Sequence, residues 1–372
     1  MSSQKGDLAK AFKGKAILVT GHTGFKGGWL SLWLSALGAN VIGYSDRVPT
    51  HPSFYESTHL DKRVTDLRGD IRDGSKMMQL IEEQSPEFVF HLAAQPLVRD
   101  SYLKPVETFE TNVIGTVNVL EAVRSCSCVK ACICVTSDKC YENMEWPHAH
   151  KENDRLGGND PYSASKAAAE IVIASYQRSF FRNQKRGDMK GLASVRAGNV
   201  IGGGDWARDR IVPDCIRAIS TGRSVILRNP TSIRPWQHVL EALSGYLLLA
   251  VKIRNDPQRY QGAWNFGPPS SPSLTVSELV DKLLVEWGSG KWNAEKKKER
   301  DLPESRTLNL DSSKACDELG WSQTLSIEES IRLTAEWYKA FVEGSTDLEE
   351  LSLQQIKSFA KASSFLKSSA LE

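Results

Sequence analysis

The chain is expected to fold as an α/β protein on a doubly wound parallel (Rossmann) sheet, with a smaller mixed substrate domain toward the C-terminus. Three observations predict this. Short apolar runs alternate with segments of helical spacing from about residue 16 to about residue 195. The runs, among them AILVT at Ala16–Thr20 and FVFHLAA at Phe88–Ala94, are continuously apolar, as strands covered on both faces must be. A glycine-rich turn, TGHTGFKGG, joins the first run to the first helical segment, where a Rossmann fold receives a dinucleotide.

In chain order, residues 1–13 read as a loose extension. Ala16–Thr20 is the first strand, and Trp29–Leu37 the first helix, closed by Gly38 at a C-cap position. Val41–Tyr44 reads as a strand, Gly74–Gln84 as a helix and Phe88–Ala94 as a strand. Asn112–Arg124 is helical, Ala131–Thr136 a strand, Tyr162–Phe181 a long helix and Leu192–Val195 a strand. Beyond residue 196 Pro, Gly and Trp become frequent and the runs shorten, which marks a second domain. Gln237–Ile253 is an apolar helix expected to return to the first domain. The expected division is 1–13 as extension, 14–195 with about 236–255 as dinucleotide domain, 196–235 with about 256–342 as substrate domain, and 343–372 as tail. Within these, 294–301 (AEKKKERD) is a solvated charge run and Thr346–Ser368 a peripheral helix.

Composition narrows the function. The 372 residues are 40% hydrophobic and 25% charged, enough for a sizeable core without staples. Lys plus Arg at 47 against Asp plus Glu at 45 leaves +2, which argues against a nucleic-acid or membrane-surface binder. No apolar run reaches the about 20 residues of a membrane span, and MSSQKGDLAKAFKGK has no apolar leader. Seven cysteines are odd in number. The CxC pairs Cys126/Cys128 and Cys132/Cys134 have no neighbouring histidine, so reduced thiols in a cytoplasmic protein are expected. No ligand cluster implies a metal.

Gly21, Gly24 and Gly27 give GxxGxxG between strand and helix. Glycines there permit a tight turn and close approach of a pyrophosphate to the helix N-terminus. Lys26 is not a P-loop lysine, because GxxxxGKS/T is absent; phosphate contact and a solvated side chain are both open to it. At the end of the second strand, where an acid would hold the ribose hydroxyls, Ser45 is followed by Asp46 and Arg47. Asp46 favours NAD, whereas Ser45 and Arg47 suit a 2′-phosphate. Asp70, in GDIRD, is open to contact with the adenine amino group or to a turn cap. Tyr162 and Lys166, in PYSASK, stand one turn apart on one helix face. An ammonium there favours the phenolate, which takes a proton from a sugar hydroxyl as hydride leaves the same carbon. His91 reads as a core histidine, and His22 and His238 carry no assignment.

GxxGxxG, the HLAA strand, Asn112 in NVIGT, the serine after the fifth strand and YxxxK together resemble the extended short-chain dehydrogenase/reductases that act on nucleotide sugars, over about residues 14–340. The strings GHTGFKGGWLSLWL, HLAAQPLVR, TSDKCY, RAGNVIGGGDW, RIVPD and IRPWQHVLE are most similar to the branch that dehydrates CDP-glucose in deoxysugar synthesis of the O-antigen type. The resemblance implies tightly bound NAD, CDP-glucose as substrate, and a homodimer or tetramer pairing through Asn112–Arg124 and Tyr162–Phe181. It places the cofactor against Gly21, Thr23, Gly24, Phe25, Lys26, Gly27, Asp46, Asp70, Ile71, Ala93, Ala94, Tyr162 and Lys166. It places the substrate against Gln95, Arg196, Asn199 and Arg234. Ser137 would hydrogen-bond the 4-hydroxyl, and Asp138 would protonate the leaving 6-hydroxyl. Lys139 stands where relatives acting on dTDP-glucose carry a glutamate base, and a lysine serves so only where burial or a nearby cation lowers its pKa. An epimerase of the family has the serine and YxxxK without an acid–base pair after the serine, so Asp138–Lys139 favours dehydration. Trp206 and Trp236 are open to stacking on a base or to burial. The alternatives are a UDP- or dTDP-hexose 4-epimerase or dehydratase, and a dinucleotide-binding regulator without activity.

Overall fold

The computed structural model describes residues 7–143, 149–182, 189–268, 274–295, 308–344 and 347–366. Seven parallel strands form the central sheet: β1 (Ala16–Thr20), β2 (Asn40–Ser45), β3 (Thr65–Arg68), β4 (Phe88–His91), β5 (Ala131–Val135), β6 (Gly191–Ala197) and β7 (Gly262–Phe266). Their order is β7-β6-β5-β4-β1-β2-β3, reversing direction at β1/β4, the switch point where such sheets bind ligands. FVFH of β4 and ACIC of β5 are buried at every position, so helices must cover both faces.

Ten helices matter to the argument: α1 (Leu8–Phe12), α2 (Phe25–Ala36), α3 (Gly74–Gln84), α4 (Gly115–Ser125), α5 (Pro161–Tyr176), α6 (Ile211–Ile219), α7 (Val239–Asn255), α8 (Val276–Trp287), α9 (Ile327–Glu343) and α10 (Leu348–Ala362). One face of the sheet packs on α2 and α7, the other on α3, α4 and α5. α6, α8 and two short strand pairs, Val225–Leu227 with Trp292–Ala294 and Ile233–Arg234 with Leu274–Thr275, make a smaller lobe over the carboxyl ends of the strands. Capping boxes at Thr275 and Ser326 satisfy the first amides of α8 and α9.

Several expectations need correction. Residues 8–12 are no loose extension. Asp7 caps α1 through the amide of Lys10 at 3.1 Å, and Phe12 is buried edge-on against Phe88 at 5.0 Å. The tail helix is packed rather than peripheral: Phe359 meets Trp33 at 5.8 Å, and Trp337 donates to Ser352 at 3.0 Å. Positions 346, 367 and 368 of its expected span lie outside the described residues, as does most of the charge run at 294–301. β7 belongs to the central sheet, although its residues were assigned to the second domain. Its run, GAWNF, carries Gly and Asn and lies among the loosened pattern beyond residue 196, without the continuous apolar character that marked the other strands. Cys126 and Cys128 form a disulfide, because the turn after α4 brings them to Cα atoms 5.4 Å apart. Cys132, Cys134, Cys140 and Cys215 are buried free thiols, as expected, and Cys316 is an exposed one.

Candidate active site

The glycine turn is built for close approach. Gly21 has φ +77°, and a Cβ there would lie 2.7 Å from the Ala93 nitrogen. A Cβ on Gly27 would lie 2.1 Å from the Gly21 carbonyl oxygen. Gly24 caps α2 without a side chain, leaving the first amides of the helix, at Phe25 and Lys26, facing the switch point as an anion site. Ala93 and Ala94 follow β4 beside it, and Thr20 Oγ1 accepts from the Leu92 and Ala93 amides, both at 3.2 Å. His91 is a core histidine, between Thr20 (2.8 Å) and Thr116 (3.1 Å), and burial pushes it down to about 3. The cradle fits a dinucleotide pyrophosphate.

At the adenosine end, Ser45 is buried and Asp46 is exposed beside Arg47 at 3.6 Å. Thr23 donates to the Arg47 carbonyl at 2.7 Å, which ties the turn to the end of β2. Beneath lies a chain absent from the sequence-based reading. Ser45 Oγ meets His22 Nδ1 at 2.9 Å, and His22 Nε2 meets Asp66 at 3.0 Å. Burial pushes His22 down to about 4. Gly43 makes room, since a Cβ there would sit 2.3 Å from the His22 ring; glycine inside a strand was the available signal. Asp70 is held by the Arg72 amide (2.8 Å) and guanidinium, which keeps its carboxyl below the usual range. Ile71 is buried above Gly115.

The catalytic candidates converge at the end of β5. Ser137 Oγ accepts from the Lys139 amide at 3.2 Å and donates to Asp138 Oδ1 at 3.0 Å. Asp138 is 5% exposed. Burial pushes its carboxyl up, against the pull of Lys139, Ser137 and Lys26. Its Oδ2 finds no hydrogen-bond partner among the described residues. α5 starts at Pro161 with Asp160 accepting from the Ser163 amide at 2.9 Å, and this sets Tyr162 at the head of the helix. The charge logic expected around Tyr162 is corrected here. Lys166 Nζ turns to the Val135 carbonyl at 3.4 Å and is pushed down to about 8 by burial. Burial pushes the Tyr162 phenol up to about 12, and the groups pulling it down are Ser137 and Arg210. Lys139 is exposed and stands beside Ser137 and Asp138.

A cavity of about 660 Å³ opens between the strand ends and the small lobe, within the range of small-molecule sites. Lys26, Ser137, Asp138, Lys139, Tyr162, Asn199 and Arg234 all line it. Arg196 does not, and its assignment to the substrate is corrected. Its guanidinium is buried against Glu170, with Nε–Oε1 at 2.9 Å and Nη2–Oε2 at 2.7 Å. It also donates to the Tyr141 hydroxyl at 2.7 Å. Gln95 is turned inward as well, donating to Thr108 at 2.9 Å and accepting from the Leu97 amide, so it shapes the loop rather than the cavity wall. Trp206 is buried against Tyr338 and Phe341 at 5.1 and 4.8 Å, while Trp236 is buried but reaches the lining. Arg99, Arg208, Arg210 and Arg228 also line the cavity and escaped the sequence-based reading, although Arg210 opens the RIVPD string.

Fold and site together define an extended short-chain dehydrogenase/reductase, an enzyme class. Residues 18–334 match the family described as GDP-mannose 4,6 dehydratase, and the chain belongs to that family. It is 46% identical over 354 residues to a CDP-glucose 4,6-dehydratase of Salmonella typhimurium, covering 94% of this chain and 98% of that protein. A dTDP-glucose 4,6-dehydratase of Streptomyces antibioticus is 29% identical, with 87% and 92% covered. Among solved structures, a UDP-glucose 4-epimerase from Thermotoga maritima with UDP-glucose superposes with a TM-score of 0.76 at 23% identity, covering 88% of this chain and 99% of that one. A dTDP-glucose 4,6-dehydratase from Bacillus anthracis in complex with NAD gives 0.72 at 22% identity, covering 88% and 98%. At such identities the structures speak for the fold. Among the described residues no helix is long and apolar enough to cross a membrane, and no group of His, Cys, Asp and Glu is placed to hold a metal ion.

Proposed function

We propose that the enzyme converts CDP-glucose to CDP-4-dehydro-6-deoxyglucose and water, keeping NAD bound throughout, as a cytoplasmic step of deoxysugar synthesis. Asp138 is the observation that carries the reaction type: a buried carboxyl whose pKa burial pushes up, with one oxygen lacking a hydrogen-bond partner among the described residues, beside Ser137 and Tyr162. An epimerization needs no such acid. Cytidine as the base is supported by the 46% likeness along nearly the whole chain, and NAD by the glycine cradle.

The glycine turn at Gly21, Gly24 and Gly27 would hold NAD, which would supply the hydride acceptor for C4 and the hydride donor for C6. Ser137 orients the 4-hydroxyl, and Tyr162 removes its proton as the 4-ketone forms. The ketone acidifies C5, whose proton is assigned to Lys139 on the cavity wall. Asp138 gives its proton to the 6-hydroxyl, which leaves as water, and the resulting enone accepts hydride at C6 and a proton at C5. Asn199 and Arg234, on the cavity wall, hold the nucleotide diphosphate. The sheet with α1–α5 and α7 serves as the dinucleotide domain, and the lobe carrying α6 and α8 as the substrate domain. The apolar side chains Leu103, Val106, Phe109, Ile114, Ile171 and Phe180 are exposed, and their helices are the face on which a second copy would pair.

The test is to incubate NAD-loaded protein with CDP-, UDP- and dTDP-glucose at alkaline pH and analyse the products. The 4-keto-6-deoxy sugar should form fastest from CDP-glucose. A C4 epimer, or faster turnover of another nucleotide, overturns the reading.

A further inference from the structure

Asp209 is a non-glycine residue with a left-handed backbone, φ 61°, a conformation that aspartate tolerates better than most residues. It stands two residues before α6 on the cavity wall. Its Oδ1 receives Arg228 Nη1 at 3.2 Å and lies 3.5 Å from Arg99 Nε. Arg228 follows Val225–Leu227 in the small lobe, whereas Arg99 lies on the helix Val98–Leu103 that follows β4. One carboxylate thus ties the two lobes across the cavity. The other carboxylates nearby are engaged elsewhere, Asp205 with Arg210 at 2.8 Å and Asp214 with Arg217.

We propose that Asp209 is a stand-in for phosphate: an entering nucleoside diphosphate takes Arg228 and Arg99 from it, and the lobes are then joined through the ligand. The inference deepens the substrate reading above and rests on it. The side chains of Asp209, Arg99 and Arg228 are 42%, 42% and 29% exposed, and ion pairs so exposed hold weakly. A diphosphate brings more charge and more acceptor oxygens than one carboxylate, and arginine forks match it bidentately. Before the ligand arrives, the carboxylate keeps two like charges together that would otherwise repel. It also sets a threshold, because a ligand must outcompete it.

The test is calorimetric binding of CDP, CMP and inorganic pyrophosphate to the NAD-loaded protein. Asp209→Asn keeps the shape and tolerates the same backbone. It should bind CDP and pyrophosphate about two- to tenfold tighter, the scale of a weak exposed pair, with CMP gaining no more than CDP. Arg228→Met should weaken both, and in that background Asp209→Asn should lose most of its gain. Asp209→Asn binding that is unchanged or weaker, or absent as in a silent wild type, overturns the proposal. Pyrophosphate carries neither base nor sugar, so failure to turn over CDP-glucose would remove the substrate reading and leave this result standing.

Discussion

Replacing Arg196 by Met asks whether that arginine holds the fold or the substrate. The pair with Glu170 is 3% exposed on both sides. The substitution removes both arms of the fork and the bond to Tyr141. Glu170 is left with Thr136 and Ser194 as donors, the latter at 2.7 Å. Removing one partner of a buried pair costs about 3–5 kcal/mol; the two remaining hydroxyls put the expected loss near the lower end. In the native protein burial pushes Glu170 up, but Arg196 and the hydrogen bonds prevail and hold its carboxyl below the usual range. Without Arg196, burial prevails and the carboxyl rises. The penalty is then full only above the raised pKa of Glu170 in the variant, and it is relieved as pH falls through that value toward the ordinary carboxylate pKa and Glu170 takes up a proton. The gap between native protein and variant should therefore shrink from neutral pH toward about pH 5. Urea unfolding at fixed NAD concentration reads it, and adding Glu170→Gln should recover a large part of the loss. Unchanged stability with a raised KM for the nucleotide sugar would refute this reasoning and return Arg196 to the substrate.

Asp138→Asn keeps size and hydrogen bonding but cannot supply a proton, so reduced nicotinamide should persist while 6-deoxy product falls by about 10² or more; absence of reduced nicotinamide would place Asp138 in oxidation or binding. Lys139→Met should block solvent deuterium from entering C5, and normal exchange would move the base to Glu142, which pairs with Arg155 at 2.9 Å. Tyr162→Phe should lower turnover by about 10² or more with nucleotide-sugar affinity little changed, and near-normal turnover would remove its role. Gly27→Ala forces a Cβ to within 2.1 Å of the Gly21 carbonyl oxygen. NAD binding measured by titration should weaken about tenfold or more, at least about 1.4 kcal/mol.

The parallel sheet was legible because its strands are apolar at every position, and the cofactor turn because its glycines sit between strand and helix. α3 runs over the Gly74–Gln84 span that the sequence predicts, bounded by an aspartate cap and by an end at Ser85. Arg196 was misplaced because a string shared with a family does not say where a side chain points; only the fold shows Glu170, one turn beyond Lys166 on α5, waiting for it. The His22–Asp66 contact joins positions 44 residues apart, beyond the reach of local pattern. Counting puts Ser45 at the ribose-acid position with Asp46 one later, and β2 ends with Ser45 buried and Asp46 exposed. α1 was lost to its brevity, since five residues with two buried side chains make too short a period to detect.

The place of β7 in the sheet bears on how the chain is made. β6 leaves the ribosome well before β7, with α6 and α7 synthesised between them. Until Gly262–Phe266 emerges, β6 is an open edge carrying unpaired amides and carbonyls, a template for pairing with other chains. The nascent dinucleotide half is therefore unfinished for as long as the small lobe is being translated, and long-range parallel pairing of this kind is slow even once the strand is available. A ribosome stalled between residues 200 and 260 would hold a product with most of its core and no closed sheet. Chaperone engagement during synthesis should peak over that interval and fall once β7 has docked.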